Sequence, residues 1–166
     1  MPLLCCKKLA LVILSLSYTT ATVNFSTYFA NWALYHLPPY GYEMNDLSPL
    51  VSSLSEVNYA FMYFCPPPGT DPLPYWAKAP YGSCSDATAF QLMSVEPKDD
   101  GFLQTLVTFR TQNPGLRLML SVGGWNFPSA YFSDMAASAA TRQTFINSVI
   151  QWLTKYNLDG VDIDCS

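Results

Sequence analysis

Short apolar runs alternate with segments of helical spacing along most of the chain. The apolar runs, which are rich in β-branched and aromatic residues, predict strands at 23–32, 57–64, 116–122 and 161–164. Apolar residues three and four positions apart predict helices at 46–54, 98–112, 128–137 and 140–156. Because strand and helix alternate, we expect β-α-β units, a parallel sheet and an α/β fold.

Residues 65–96 interrupt this alternation. The segment carries six prolines and shows neither period, so we interpret it as an inserted loop, and loops of this length are usually functional. Cys65 and Cys84 lie at its start and middle. In an oxidising compartment these two cysteines are expected to form a disulfide, which leaves Cys165 unpaired.

The N-terminus has the pattern of a secretory signal peptide. Two lysines precede an apolar run at 9–16, and small and polar residues follow at 17–21. The run is short for a bilayer span, so we predict a cleaved signal at 1–21 and a secreted, extracellular domain at 22–166, with no membrane attachment after cleavage. The alternative is a buried helix or a membrane anchor.

Composition narrows the class of function. Aromatic residues make up 15% of the chain and charged residues only 12%, which favours a folded protein whose surface stacks flat apolar faces such as sugar rings. The net charge of -4 and the lack of a basic stripe argue against nucleic acid as a partner.

No cofactor and no metal site is predicted, because no phosphate-binding loop occurs and His36 is remote from the cysteines. Asn24 begins a glycosylation sequon.

The last predicted strand carries acids at alternate positions, Asp162 and Asp164, which therefore point to one face. Two such carboxylates are costly unless they bind a cation, share a proton or act on a substrate. Active groups in parallel sheets collect at the C-terminal strand ends, and here those ends are aromatic. Paired acids beside aromatic residues point to carbohydrate; the alternative is a pair of solvated strand-end acids.

Three segments carry a family resemblance, and they lie in order on successive strands: Tyr-Phe-Ala-Asn-Trp at 28–32, Leu-Met-Leu-Ser-Val-Gly-Gly-Trp-Asn at 118–126 and Asp-Gly-Val-Asp-Ile-Asp at 159–164. Together they resemble the family 18 glycoside hydrolases, the chitinases and chitinase-like lectins. The resemblance implies a partial (β/α)8 TIM barrel, strands one to four. Since such barrels need about 250 residues, we expect a truncated domain.

The resemblance also implies roles. These enzymes use the acetamido oxygen of the sugar as nucleophile in a substrate-assisted, retaining mechanism. Asp164 would orient the acetamido group, Asp162 would hold the charge balance, and Ser166 stands where the family has its proton-donating glutamate. The remaining expected substrate-binding residues are Tyr28, Trp32, Phe61, Ser121, Gly123, Gly124 and Trp125.

Several functions therefore stay open. The first expectation is a chitinase-family hydrolase of N-acetylglucosamine polymers that is inactive as written. The alternatives are a catalytically dead lectin that binds chitin or its oligosaccharides, and a fragment that folds poorly. Nucleophilic catalysis by Cys165 with His36 has no supporting pattern, and a dimer could complete the barrel from two halves.

Overall fold

The computed structural model describes residues 23–37 and 39–165. In these residues four parallel strands form one sheet in the order β1-β2-β4-β5, and a short β3 pairs with β2 in the antiparallel sense. The strands are β1 Ser26–Ala30, β2 Glu56–Phe64, β3 Leu92–Met93, β4 Arg117–Gly123 and β5 Gly160–Asp164. The predicted α/β class and the parallel sheet are confirmed.

Helices connect the parallel strands. The α-helices are α1 Asp99–Thr108, α2 Ser129–Ala136 and α3 Ala139–Tyr156. Short 3-10 helices span Ala33–Tyr35, Met44–Ser53, Tyr75–Ala77, Asp86–Thr88 and Phe109–Thr111. Ser138 caps α3, its hydroxyl accepting from the Thr141 amide at 3.1 Å. Within residues 23–37 and 39–165, none of the helices has the length and apolar character needed to cross a bilayer.

The two faces of the sheet differ sharply. The face toward the helices is apolar and fully buried, and its residues include Val57, Tyr59, Leu118, Leu120 and Val122. The opposite face is polar near the N-terminal ends of the strands. There the Glu56 carboxylate accepts hydrogen bonds from Ser26 and Asn58 and forms an ion pair with Arg117 at 3.0 Å. The apolar face drives folding by burial, which leaves the polar face available for chemistry.

Three predicted elements differ in extent. The strand predicted at 23–32 is only Ser26–Ala30, because Trp32 already adopts helical angles and begins the turn Ala33–Tyr35. The helix predicted at 46–54 is a 3-10 helix at Met44–Ser53, and it contains Pro49, which lacks an amide donor. The helix predicted at 98–112 ends as α-helix at Thr108 and continues as a 3-10 turn.

The insertion is more ordered than its prolines predicted. It contains β3 and two 3-10 turns, and the predicted disulfide between Cys65 and Cys84 is present, with a Cα–Cα distance of 5.4 Å. Trp76 of the insertion is buried against Tyr63 and Phe127, at ring distances of 5.0 and 5.4 Å. The insertion is thus packed onto the C-terminal ends of the strands.

Candidate active site: strand-end carboxylates beside an aromatic cleft

Two glycines shape the end of β4. Gly123 and Gly124 have φ angles of +112° and +89°, which side chains rarely adopt. A Cβ on Gly123 would lie 2.0 Å from the Asp164 carbonyl oxygen, and one on Gly124 would lie 2.5 Å from the Phe61 ring. The Gly124 amide instead donates to the Asp164 carbonyl at 2.9 Å. The glycine pair therefore brings the acidic strand end and Phe61 together, and its contact with substrate stays a prediction.

Three strands place polar side chains around Asp162. Ser121 on β4 pairs with Asp162 on β5 in the sheet, and its hydroxyl donates to the Asp162 carboxylate at 2.7 Å. Tyr28, from β1, donates its phenol to the same oxygen at 3.1 Å. In the sheet register Ala30 pairs with Ala60, and Ala60 pairs with Ser121. The row that leads from β1 across to Ser121 and Asp162 therefore carries only small side chains on β1 and β2. Sequence reasoning named Tyr28, Ser121 and Asp162, and the fold brings all three together.

The surroundings of Tyr28 keep its phenol protonated. Burial, the hydrogen bond to Asp162, and then the negative charges of Asp162, Asp164 and Glu56 raise the pKa of Tyr28. The phenol therefore remains a donor at neutral pH. Asp162 and Asp164 are both partly exposed.

An aromatic cleft of about 630 Å³ lies at the C-terminal ends of β1, β2 and β4, and neither Asp162 nor Asp164 is among the described residues that line it. Trp32, Phe61 and Trp125, all predicted from the sequence, line it. The rings of Trp32 and Phe61 are stacked, with centroids 5.6 Å apart, and Trp125 is 87% exposed. Sequence reasoning missed Tyr35, on the turn after β1, and the contribution of the insertion and its flank, which add Tyr63, Tyr75, Trp76, Tyr81 and Glu96. Exposed aromatic faces of this kind stack on sugar rings.

A buried acid that the sequence did not reveal supports this cleft. Asp99 at the start of α1 is 0% exposed. Within the described residues its carboxylate accepts five hydrogen bonds, from the side chains of Asn31, Tyr59 and Ser94 and from the amides of Val95 and Glu96. Asn31 in turn binds the backbone of Phe61 through both amide atoms, at 3.2 and 3.3 Å. Asp99 thus fixes Phe61 through Asn31.

Burial, followed by the negative charge of Asp99, raises the pKa of Tyr59 well above its usual range. Its phenol therefore stays a donor to Asp99. The only sequence signal for this network was Asn31 in the Tyr-Phe-Ala-Asn-Trp segment, since Asp99 itself resembles an ordinary exposed acid at a helix start.

Asp159, the first acid of the 159–164 motif, contacts other parts of the fold and has a structural role. Its carboxylate accepts from Arg110 at 2.5 Å and from the Leu118 amide at 2.7 Å. These contacts fix β5 beside β4 and lie at the opposite end of the strand from Asp164. Over residues 23–37 and 39–165, His, Cys, Asp and Glu form no group of three that could hold a metal ion.

Comparison with known proteins decides the family. The profile described as "Glycosyl hydrolases family 18" matches residues 24–166. The chain belongs to this family. Its architecture is part of a (β/α)8 barrel, as the resemblance implied.

Similar proteins include chitinases from different organisms. The chain is 31% identical over 160 residues to a chitinase of Niallia circulans, covering 82% of this chain and 22% of that protein. It is 43% identical over 74 residues to chitotriosidase-1 of Mus musculus, covering 45% of this chain and 16% of that protein. The chain therefore spans about a fifth of the length of these relatives.

Among solved structures, a chitinase from Bacillus thuringiensis superposes with a TM-score of 0.68 at 27% identity, covering 87% of this chain and 28% of the other. An immunomodulatory active chitinase from Trichuris suis gives a TM-score of 0.66 at 25% identity, covering 87% and 33%. The match is thus to about a third of each solved domain.

Proposed function

We propose that this chain binds β-1,4-linked N-acetylglucosamine oligosaccharides in the aromatic cleft and presents them to Asp162 and Asp164 without hydrolysing them. The observation that carries the proposal is the convergence of Tyr28 and Ser121 on Asp162. The 630 Å³ aromatic cleft at the ends of β1, β2 and β4 supports it. An aromatic cleft binds sugar rings, and a neighbouring carboxylate pair recognises the polar group that the ring carries.

The proposed roles of the two aspartates follow from the substrate-assisted, retaining reaction of catalytically active family members, although this chain is proposed to bind only. In such a reaction the acetamido oxygen attacks the anomeric carbon and forms an oxazolinium ion. We assign Asp164 to orienting the acetamido N–H and stabilising the positive charge of that ion. Asp162, held by Ser121 and Tyr28, balances the charge and proton of Asp164.

Ser166 limits this chain to binding. It stands two positions after Asp164, where the family pattern has the glutamate that protonates the leaving oxygen. A hydroxyl group is far too weak an acid at neutral pH for that role, and a general acid contributes about 100-fold to 10,000-fold in rate. Binding without hydrolysis is the activity of a chitin-binding lectin, so the proposal adopts that alternative to a hydrolase.

A titration with product analysis tests the proposal. Chitotetraose is titrated calorimetrically into the 166-residue chain, the mixture is then analysed for shorter products, and a thermal scan checks folding. We expect saturable binding, a cooperative melt and no shorter products. Shorter products would overturn the assignment of Ser166. No binding by a chain that melts cooperatively would overturn the cleft assignment, and a chain without a cooperative melt would be the poorly folded fragment.

One tryptophan variant and one tyrosine variant test which aromatic side chains bind the sugar. Trp125→Ala removes an 87% exposed ring from the cleft, and we expect about a ten-fold loss of affinity with the melting temperature unchanged. Tyr40→Ala is the matched control, because Tyr40 is 76% exposed and does not line the cleft. Equal affinities of the two variants would remove Trp125 from the binding surface.

We also propose that the chain is exported. The predicted signal at 1–21 lies outside the described residues, so it remains a sequence-based expectation. N-terminal sequencing of protein recovered from the medium of expressing cells should begin at Thr22. Protein retained in the cells with Met1 intact would contradict export.

A further inference from the structure

One charged side chain lies in the aromatic cleft. Glu96, in the segment between β3 and α1, is partly buried, and its carboxylate accepts from the Tyr35 phenol at 2.8 Å. Every other described residue that lines the cleft is uncharged. A carboxylate held in place by one hydrogen bond keeps acceptor capacity for a ligand.

Within the part of the chain that the structure describes, no basic side chain forms an ion pair with Glu96. The ion pairs in residues 23–37 and 39–165 join Arg110 to Asp159, Arg117 to Glu56 and Lys155 to Asp100. The aromatic rings around Glu96 present electron-rich faces, which also attract cations. Tyr35 and Trp32 stand on the same turn, so the carboxylate and the aromatic faces lie on one wall of the cleft.

We propose that Glu96 forms a subsite for the protonated 2-amino group of a glucosamine unit, so that the chain prefers partially deacetylated chitin over fully acetylated chitin. An ammonium group donates charge-assisted hydrogen bonds to a carboxylate, whereas a neutral acetamide offers only one weaker N–H donor. This inference rests on the proposed function, since it names the ligand class of the same cleft.

The subsite is separate from the acetamido site. Glu96 bonds to Tyr35, which follows β1, whereas Asp164 ends β5, and two strands lie between β1 and β5 in the sheet. A bound oligosaccharide therefore places different sugar units at the two carboxylate sites. The best ligand keeps an acetamido group at Asp164 and presents an ammonium group at Glu96.

The test compares three tetrasaccharides by calorimetry with the 166-residue chain at pH 6.5 and low salt. One is fully acetylated chitotetraose, and the other two carry a single glucosamine unit, at the reducing or the non-reducing end. We expect one of the two glucosamine ligands to bind about five-fold tighter than chitotetraose, as one partly exposed ion pair predicts.

Two variants assign the gain to Glu96. In Glu96→Gln the gain should disappear while binding of chitotetraose persists. In Asp134→Asn, which removes an equal charge from an exposed position on α2 outside the cleft, the gain should remain. A gain that survives in Glu96→Gln overturns the subsite, and so does the absence of any gain in the unaltered chain. If chitotetraose itself fails to bind, the proposed function fails together with the subsite.

Discussion

Two carboxylate centres of this chain, Asp99 and Asp162, differ in how completely the protein satisfies them. Asp99 is 0% exposed, and its two oxygens accept five hydrogen bonds within the described residues. Asp162 is partly exposed, and the structure gives one of its oxygens two hydroxyl donors. The fold saturates the first centre with hydrogen bonds, whereas a partly exposed carboxylate with two donors keeps further acceptor capacity.

This difference distinguishes an acid that stabilises the fold, Asp99, from an acid that we propose acts on a ligand, Asp162. A buried charge is tolerated only when the protein supplies its hydrogen bonds, so a saturated acid contributes to folding and orients its neighbours. A partly exposed acid loses less hydration free energy on folding, and it can still accept hydrogen bonds from a ligand. Asp99 acts on the cleft through Asn31 and Phe61, whereas Asp162 and Asp164 face the ligand directly in our proposal.

The largest expected effect is on stability. Asp99→Asn places an amide among buried donors and should lower the free energy of unfolding by about 3 kcal/mol or more, because hydrogen bonds to a charged group are lost at a buried site. Asp162→Asn should change it by less than about 1 kcal/mol, since solvent replaces the lost bonds. Urea denaturation measures both variants, and equal losses would remove the distinction between the two centres.

Removing the Cys65–Cys84 disulfide tests how far the insertion supports both the stability of the fold and the binding of sugar. Cys65→Ser with Cys84→Ser should lower stability by roughly 3 kcal/mol, the entropy model's value for a loop of this size. Binding of chitotetraose should weaken, because the insertion supplies part of the aromatic wall. Denaturation and calorimetry check both effects. Cys165→Ser is the control, since Cys165 is free and exposed, and it should leave both quantities unchanged.

Two tyrosine hydroxyls offer a matched comparison of the centres. Tyr59→Phe removes a donor to Asp99, and Tyr28→Phe removes a donor to Asp162. We expect Tyr59→Phe to cost about 2 kcal/mol of stability, as for a buried bond to a charged group, and Tyr28→Phe to cost less than about 1 kcal/mol. Denaturation at one pH compares them directly. A larger cost for Tyr28→Phe would contradict the assignment of support to Asp99.

The smallest expected effect is a pH dependence at Glu96. Burial raises the pKa of Glu96 despite the Tyr35 hydrogen bond, and the charge of Asp99 acts in the same direction. The folded state therefore binds a proton more tightly than the unfolded state, so this group lowers stability as pH rises through its unfolded and then its raised folded pKa. The hydrogen bond to Glu96 raises the pKa of Tyr35 to about 12, so that phenol does not titrate in this window.

Glu96→Gln removes this titration. At pH 7 the variant should be more stable than the unaltered chain by less than about 1 kcal/mol, a value reduced for solvent screening of a partly exposed group. Near pH 4 the difference should vanish, because the glutamate is then largely protonated in both states. Urea midpoints at the two pH values give the comparison. A variant that is less stable at pH 7 would show that the carboxylate stabilises the fold.

The strand ends were predictable from the sequence because period and motif specify them locally. The apolar runs placed the four parallel strands, strand alternation placed Asp162 and Asp164 on one face, and the family motif named Ser121. Asp99 was not predictable, because its burial depends on the insertion folding over the start of α1. The wall formed by Tyr75, Trp76 and Glu96 was missed for the same reason, since nothing periodic marks a proline-rich loop.

In our proposal Asp162 and Asp164 recognise an acetamido group. Calorimetry with chitotetraose and with cellotetraose, which has hydroxyl groups in place of acetamido groups, tests it most directly in the unaltered chain and in Asp164→Asn. We predict about ten-fold tighter binding of chitotetraose by the unaltered chain and loss of most of that difference in the variant. Equal affinity for the two sugars, or a preference for chitotetraose that Asp164→Asn leaves intact, would contradict it.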